Sequence, residues 1–277
     1  MGEENPEALK APVPREHGAW GLLLQPFVAG AVLVGHWTWL WVPALGLVLL
    51  GFVLRAPLIV IARHRWVWRR HGPAQRAAQR WVVIELGGVI ACLVLLARWT
   101  ALLPLLGLAA VAGLLTVASV WVTIRNRQRS IPFQLVSAAG LSTTALLAVL
   151  VGTGGVPGWA WWLWGIFTAH AMASILVVHA RLKSRAALRG GGSTGTRKST
   201  FAAQIPHLAA AAALAMVNWR LAVPLIGSVV ANGAELWRLR TPVRLQEPLT
   251  RVGYRTLAVA LVHMVLTIAC LWPLARR

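Results

Sequence analysis

The sequence predicts an all-α protein, a polytopic membrane helix bundle of about nine transmembrane helices, on three observations. The chain is 58% hydrophobic, with a mean hydropathy of +0.67. Charged residues make up only 12% of it, against roughly 25% in soluble domains. The apolar residues fall in continuous runs of about 20, the length a helix needs to cross hydrocarbon. Backbone groups in lipid must be paired internally, and the alternation of a membrane barrel is absent, so each run is read as a helix.

Taken in order, residues 1–17 form a polar cytoplasmic tail with Pro6, Pro12 and Pro14, and no cleaved signal peptide is read there. A single multi-pass transmembrane domain follows over 18–277, with spans at 18–35, 37–61, 81–97, 101–124, 131–152, 159–180, 202–218, 220–237 and 252–273. The first, third, seventh and eighth are short for a full crossing. Pro26, Pro43, Pro57, Pro104 and Pro224 fall inside spans and should kink helices without ending them.

The basic residues order these spans. The 62–80 loop holds Arg63, Arg65, Arg69, Arg70, Arg76 and Arg80, and Arg125, Arg127 and Arg129 fill the next alternate loop. The 181–201 loop and the 238–255 stretch repeat the pattern, whereas the other set of ends holds only Arg98, Arg220, Arg276 and Arg277. By the positive-inside rule the amino terminus is inside and the carboxyl terminus outside. The expected location is a bacterial cytoplasmic (inner) membrane. The sixteen Trp fall near span ends, as an aromatic belt does. A net charge of +20 could suggest nucleic acid, but retention of Arg in cytoplasmic loops accounts for the positions better. The expected partners are membrane lipids and no nucleic acid.

Seven acidic residues are present, all Glu, so aspartate-rich metal motifs are excluded. Cys92 and Cys270 sit in apolar runs and define no disulfide framework or zinc spacing. Arg189 to Ser199 reads as a flexible linker; it faintly resembles a phosphate-binding loop but lacks the glycine before its Lys and a strand leading in. Ionisable side chains in spans are functional candidates by default. Arg55 and Glu85 lie at similar depths in neighbouring helices and could pair, as a ligand site or as a register-fixing ion pair. Glu235 ends the eighth span with Asn232 one turn back, and Arg238 stands three residues on, within pairing distance. His170 and His179 are 2.5 turns apart and face opposite sides. His207 and His263 stand alone in their helices and are read as packing residues. No set of residues has metal spacing, and no cofactor is expected. Arg15, Glu16, His17 and Trp20 meet at the first water–lipid boundary, with Gln25 following inside the helix. Arg125 and Arg127, then Gln134, form a second polar cluster whose guanidinium forks suit phosphate.

The run Arg15-Glu16-His17-Gly18-Ala19-Trp20, followed by Leu22-Leu23-Leu24-Gln25-Pro26-Phe27, resembles the opening of YwiC-like membrane proteins. The 125–129 stretch and the loop from Arg240-Thr241-Pro242 to Arg251-Val252-Gly253 also fit, so by span layout the resemblance covers nearly the whole chain. It implies a fold and no reaction. Positions near Gln134 and Arg255 are often acidic in that family and are not acidic here. A more distant architectural analogy is the nine-helix layout of UbiA-type prenyltransferases. Their magnesium site needs paired aspartate-rich motifs, and this chain has no Asp.

The leading functional expectation is a non-enzymatic membrane protein binding an anionic lipid or small anion in a cytoplasmic-facing polar cavity lined by Arg15, His17, Arg55, Glu85 and Arg125. The alternatives are a metal-independent UbiA-like lipid or isoprenoid transferase, with Glu16 or His17 as acid or base, and a transporter.

Overall fold

A computed structural model describes residues 17–69, 72–190 and 204–276. These residues are helical throughout, and their contacts divide into two compact units. The first holds His36–Phe133 and Leu147–Val156; the second holds Gly18–Gly35, Gln134–Leu146 and Pro157–Arg277.

In the first unit α2 (Trp41–Ala62) packs on α3 (Pro73–Ala97) and α4 (Leu102–Ile124). Pro43 and Pro104 lie in first turns, where no N–H is needed, and Pro57 lies inside α2 without ending it. After Ala62 the chain widens into a π-turn, Arg63–Trp68, which stops at left-handed Arg69 (φ 50°). Pro73 then opens α3 at its first position. The α2–α3 contact is close: a Cβ on Gly88 would stand 2.7 Å from Leu50, and one on Gly46 would stand 3.2 Å from Cys92. Small residues permit such approach between lipid-bathed helices.

The second unit begins with α1 (His17–Val34), which carries Pro26 internally. The expected span at 131–152 forms, but as two helices, α5 (Ile131–Ser142), mostly in the second unit, and α6 (Thr144–Thr153), mostly in the first. The break falls at three consecutive hydroxyls. Ser142 bonds the Ala138 carbonyl, Thr143 the Gly140 carbonyl, and Thr144 the Leu23 carbonyl of α1 at 2.8 Å. Side-chain oxygens that bond backbone compete with the helical ladder. α7 (Gly158–Arg189) runs nine residues past the expected end at 180, because 181–189 holds no helix breaker before Gly190. α8 (Ile205–Val217) and α9 (Trp219–Arg238) meet at extended Asn218, whose side chain accepts from the Arg220 N–H. A short α10 (Pro242–Leu245) leads to α11 (Leu249–Ala275). α9 is central, packing against α7, α8 and α11.

Six segments are long and apolar enough to cross a membrane: Trp41–Trp68, Pro73–Ala97, Leu102–Ile124, Ile131–Thr153, Gly158–Leu188 and Thr250–Ala275. α1 and α8 are apolar but shorter, and α9 is amphipathic. Among the described residues, with α5 and α6 counted as one segment and the four-residue α10 set aside, there are nine helical segments, of which six are long and apolar enough to cross a membrane, against the about nine transmembrane helices expected. α3 and α4 turn large apolar side chains outward, with Val83 at 72% and Leu103 at 83% exposure. Such faces are stable where lipid is the solvent.

Candidate functional site

Polar spacing on three helices of the second unit converges on one place. On α7, His170, Ser174 and Arg181 are separated by four and seven residues, which puts them on one face. On α9, Ser228, Asn232 and Glu235 follow at four and three, and on α11 Arg255, Thr256 and His263 share a face. These faces enclose a narrow cavity of about 40 Å³, lined by His170, Arg181, Asn232, Glu235 and Arg255 among others. That is room for about three waters, or for one small polar group.

At one end of the cavity sits an ion cluster. Arg255 grips Glu235 in a bidentate fork, Nε to Oε1 and Nη2 to Oε2 at 2.8 Å, and gives Nη1 to Glu247 at 3.1 Å. Arg238 adds an Nη1 bond to Glu235 at 3.0 Å, the pair expected from the sequence. Arg181 lies 3.8 Å from Glu235 and 3.9 Å from Glu247, and donates Nη2 to the Arg244 carbonyl at 2.8 Å. Three guanidinium groups thus face two carboxylates. Arg181 is 6% exposed, and its Nε–H has no hydrogen-bond partner. A buried charged donor left unsatisfied costs on the order of 1–3 kcal/mol, which an acceptor in the cavity would recover. Glu247 lies between α10 and α11, where the Arg255 hydrogen bond, then the charges of Arg255, Arg181 and Arg244, hold its carboxyl below the usual range.

Deeper in, Ser228 Oγ lies 2.7 Å from His170 Nδ1 and 3.5 Å from Asn232 Nδ2. His170 stacks on His263 with ring centroids 3.9 Å apart and planes 11° from parallel. The sequence reading of His263 as isolated is corrected here: its partner is on another helix, at a separation no local spacing reveals. His207, buried on α8, lies near the Leu225 carbonyl. His179 turns the other way, to Gln134 at 2.8 Å, as its spacing from His170 required.

The remaining candidates are spread over both units. Arg15, Glu16 and the His17 side chain lie outside the described residues. Trp20 and Gln25 are half-buried in α1. In the first unit Arg55 donates to Ser119 on α4 at 3.2 Å, and no ion pair joins it to Glu85. The α2–α3 register explains this correction. Gly46 opposite Cys92 and Leu50 opposite Gly88 bring Glu85 level with Val53, and Arg55, two residues on, points to another side. Glu85 is buried with Oε2 unpartnered. Arg125 lies over the Trp121 ring at 4.2 Å, and both Arg125 and Arg127 are exposed. Sequence reasoning missed Arg181 and Arg255 because it counted them as loop charges, and it assigned Glu247 no role. The four-and-seven spacing from His170 to Arg181 was the available signal. Among the described residues no group of three His, Cys, Asp or Glu could hold a metal ion.

Long apolar helices with lipid-type outer faces around buried polar clusters define a multi-pass membrane protein. The YwiC-like protein family matches over residues 13–149, just under half of the chain, and over that region the chain is similar to the YwiC-like family. No curated protein and no solved structure matches. The cavity residues, 170–259, lie beyond the matched region, so their reading rests on geometry alone.

Proposed function

We propose that this membrane protein binds a small anion, a phosphate oxygen group free or on a lipid headgroup, in the cavity of its second unit. The observation that carries the reading is Arg181, buried against the cavity with an unsatisfied Nε–H in a cluster where guanidinium outnumbers carboxylate. Arg offers planar, bidentate donors suited to phosphate. The small volume favours the anionic group itself over a bulky ligand. The arginine distribution supports an inner-membrane placement with the amino terminus inside, and hence a cytoplasmic mouth for the cavity.

The test uses the full chain in detergent with dimethyl phosphate, and in nanodiscs with phosphatidylglycerol against phosphatidylcholine. Binding of dimethyl phosphate alone identifies a free anion; selective retention of phosphatidylglycerol identifies a headgroup. Arg181→Gln should weaken whichever binds by about tenfold to a hundredfold, the value of one charged hydrogen bond. Arg98→Gln, on exposed surface of the first unit, should leave it unchanged. Absence of binding by both probes overturns the reading.

A further inference from the structure

We infer that the cavity takes up its anion together with a proton, and that the stacked His170–His263 pair holds that proton. This rests on the anion-binding reading and adds to it a second, cationic occupant.

Three observations carry it. His170 forms part of the cavity wall, three helical turns along α7 from Arg181, and His263 stacks on it. Both rings are buried, at 5% and 3% exposure, in a helix bundle where an isolated polar group is costly. Neither ring nitrogen of His263 has a hydrogen-bond partner, although the Pro224 carbonyl faces the ring, and Phe167 meets it edge-on with centroids 5.6 Å apart. A packing histidine would bond at least one nitrogen. With the Pro224 carbonyl beside one ring nitrogen at most, His263 keeps a lone pair free against a second imidazole, which gives a proton a place.

The charges that face the pair determine how it responds. His207 on α8 is the nearest further titratable group; Arg181 on α7, Glu235 on α9 and Arg255 on α11 share the cavity; Ser228 and Asn232 bond at its floor. Two imidazolium rings stacked at this spacing would repel each other strongly, so the pair carries at most one proton. In the empty cavity the guanidinium excess opposes even that one. An anion beside Arg181 cancels the excess, and a proton can then pass from water along the cavity to His170. Ser228 accepts or donates at Nδ1 according to the tautomer, so no proton is left unplaced. By linkage, anion binding raises proton affinity and protonation tightens anion binding by the same factor.

The experiment measures dimethyl phosphate affinity from about pH 5 to pH 8, where the probe's single charge does not change but imidazole titrates. Proton uptake at saturation is followed with an indicator dye in weakly buffered solution. The expected result is affinity at least about fivefold tighter at the acid end, with net proton uptake on binding. His263→Asn and His170→Asn should abolish the slope and the uptake, and His179→Asn, outside the cavity, should keep the slope, the uptake and the alkaline affinity. If an Asn variant fails to fold, wild-type uptake still decides. Binding without uptake, at a constant affinity across pH, overturns the proton site and leaves the anion site standing. A slope removed by His179→Asn or His207→Asn but kept in His263→Asn also overturns it. Absence of binding at every pH overturns both.

Discussion

At the scale of single residues, the cluster around Glu235 concentrates the charge of the second unit. Glu235 accepts from Arg255 and Arg238, with Arg181 close by, so its loss leaves three cations without their shared carboxylate. Glu235→Gln should cost about 2 kcal/mol, seen as a lowered melting temperature in detergent, since the carboxylate is partly exposed and solvent screens part of the loss. Glu247 gives the pH dependence. Its carboxyl is held below the usual range, so its contribution is complete above the ordinary glutamate value of about 4.3 and disappears as pH falls through the lower folded value. Melting temperature should drop over that acid window, and Glu247→Gln should flatten part of the drop. From sequence, Glu235, Asn232 and the Arg238 pair were legible because they are neighbours on one helix. Arg255 and Glu247 were not, because a bond between residues eight apart across a turn leaves no periodic trace.

At the scale of elements, helix positions follow from apolar runs bounded by Arg, Gly and Pro, and the expected prolines stay within helices. The break between α5 and α6 shows where composition alone stops: mean hydropathy sees one span, whereas Ser142, Thr143 and Thr144 divert backbone carbonyls. The α2–α3 pair depends on Gly88. Gly88→Ala should be tolerated, because the atom it meets is the mobile end of Leu50. Gly88→Leu should separate the helices and cost about 1–3 kcal/mol by overpacking, measurable as a lower melting temperature that Leu50→Ala partly restores. At Gly35 the backbone decides. Its φ of +75° favours glycine, whereas the Arg276 guanidinium that a Cβ would meet is the mobile end of its side chain, so Gly35→Ala should destabilise more than Gly88→Ala through backbone strain.

At the scale of the whole molecule, membrane character was the most legible property, because it needs only composition and run length. The convergence of three helix faces on one cavity was not, since it depends on packing partners, and each His or Arg stood alone until α7, α9 and α11 were brought together. The arginine asymmetry predicts that reporters fused ahead of Met1 and within the 62–80 loop report the cytosol, and that one after Arg277 reports the outside. The most direct test of the anion site is a structure determined in phosphatidylglycerol nanodiscs. Density for a phosphate group within hydrogen-bonding distance of Arg181 Nε, between Asn232 and Arg255, is the predicted result. A cavity closed by protein side chains or filled by an acyl chain, with Arg181 Nε satisfied by the protein itself, would contradict it.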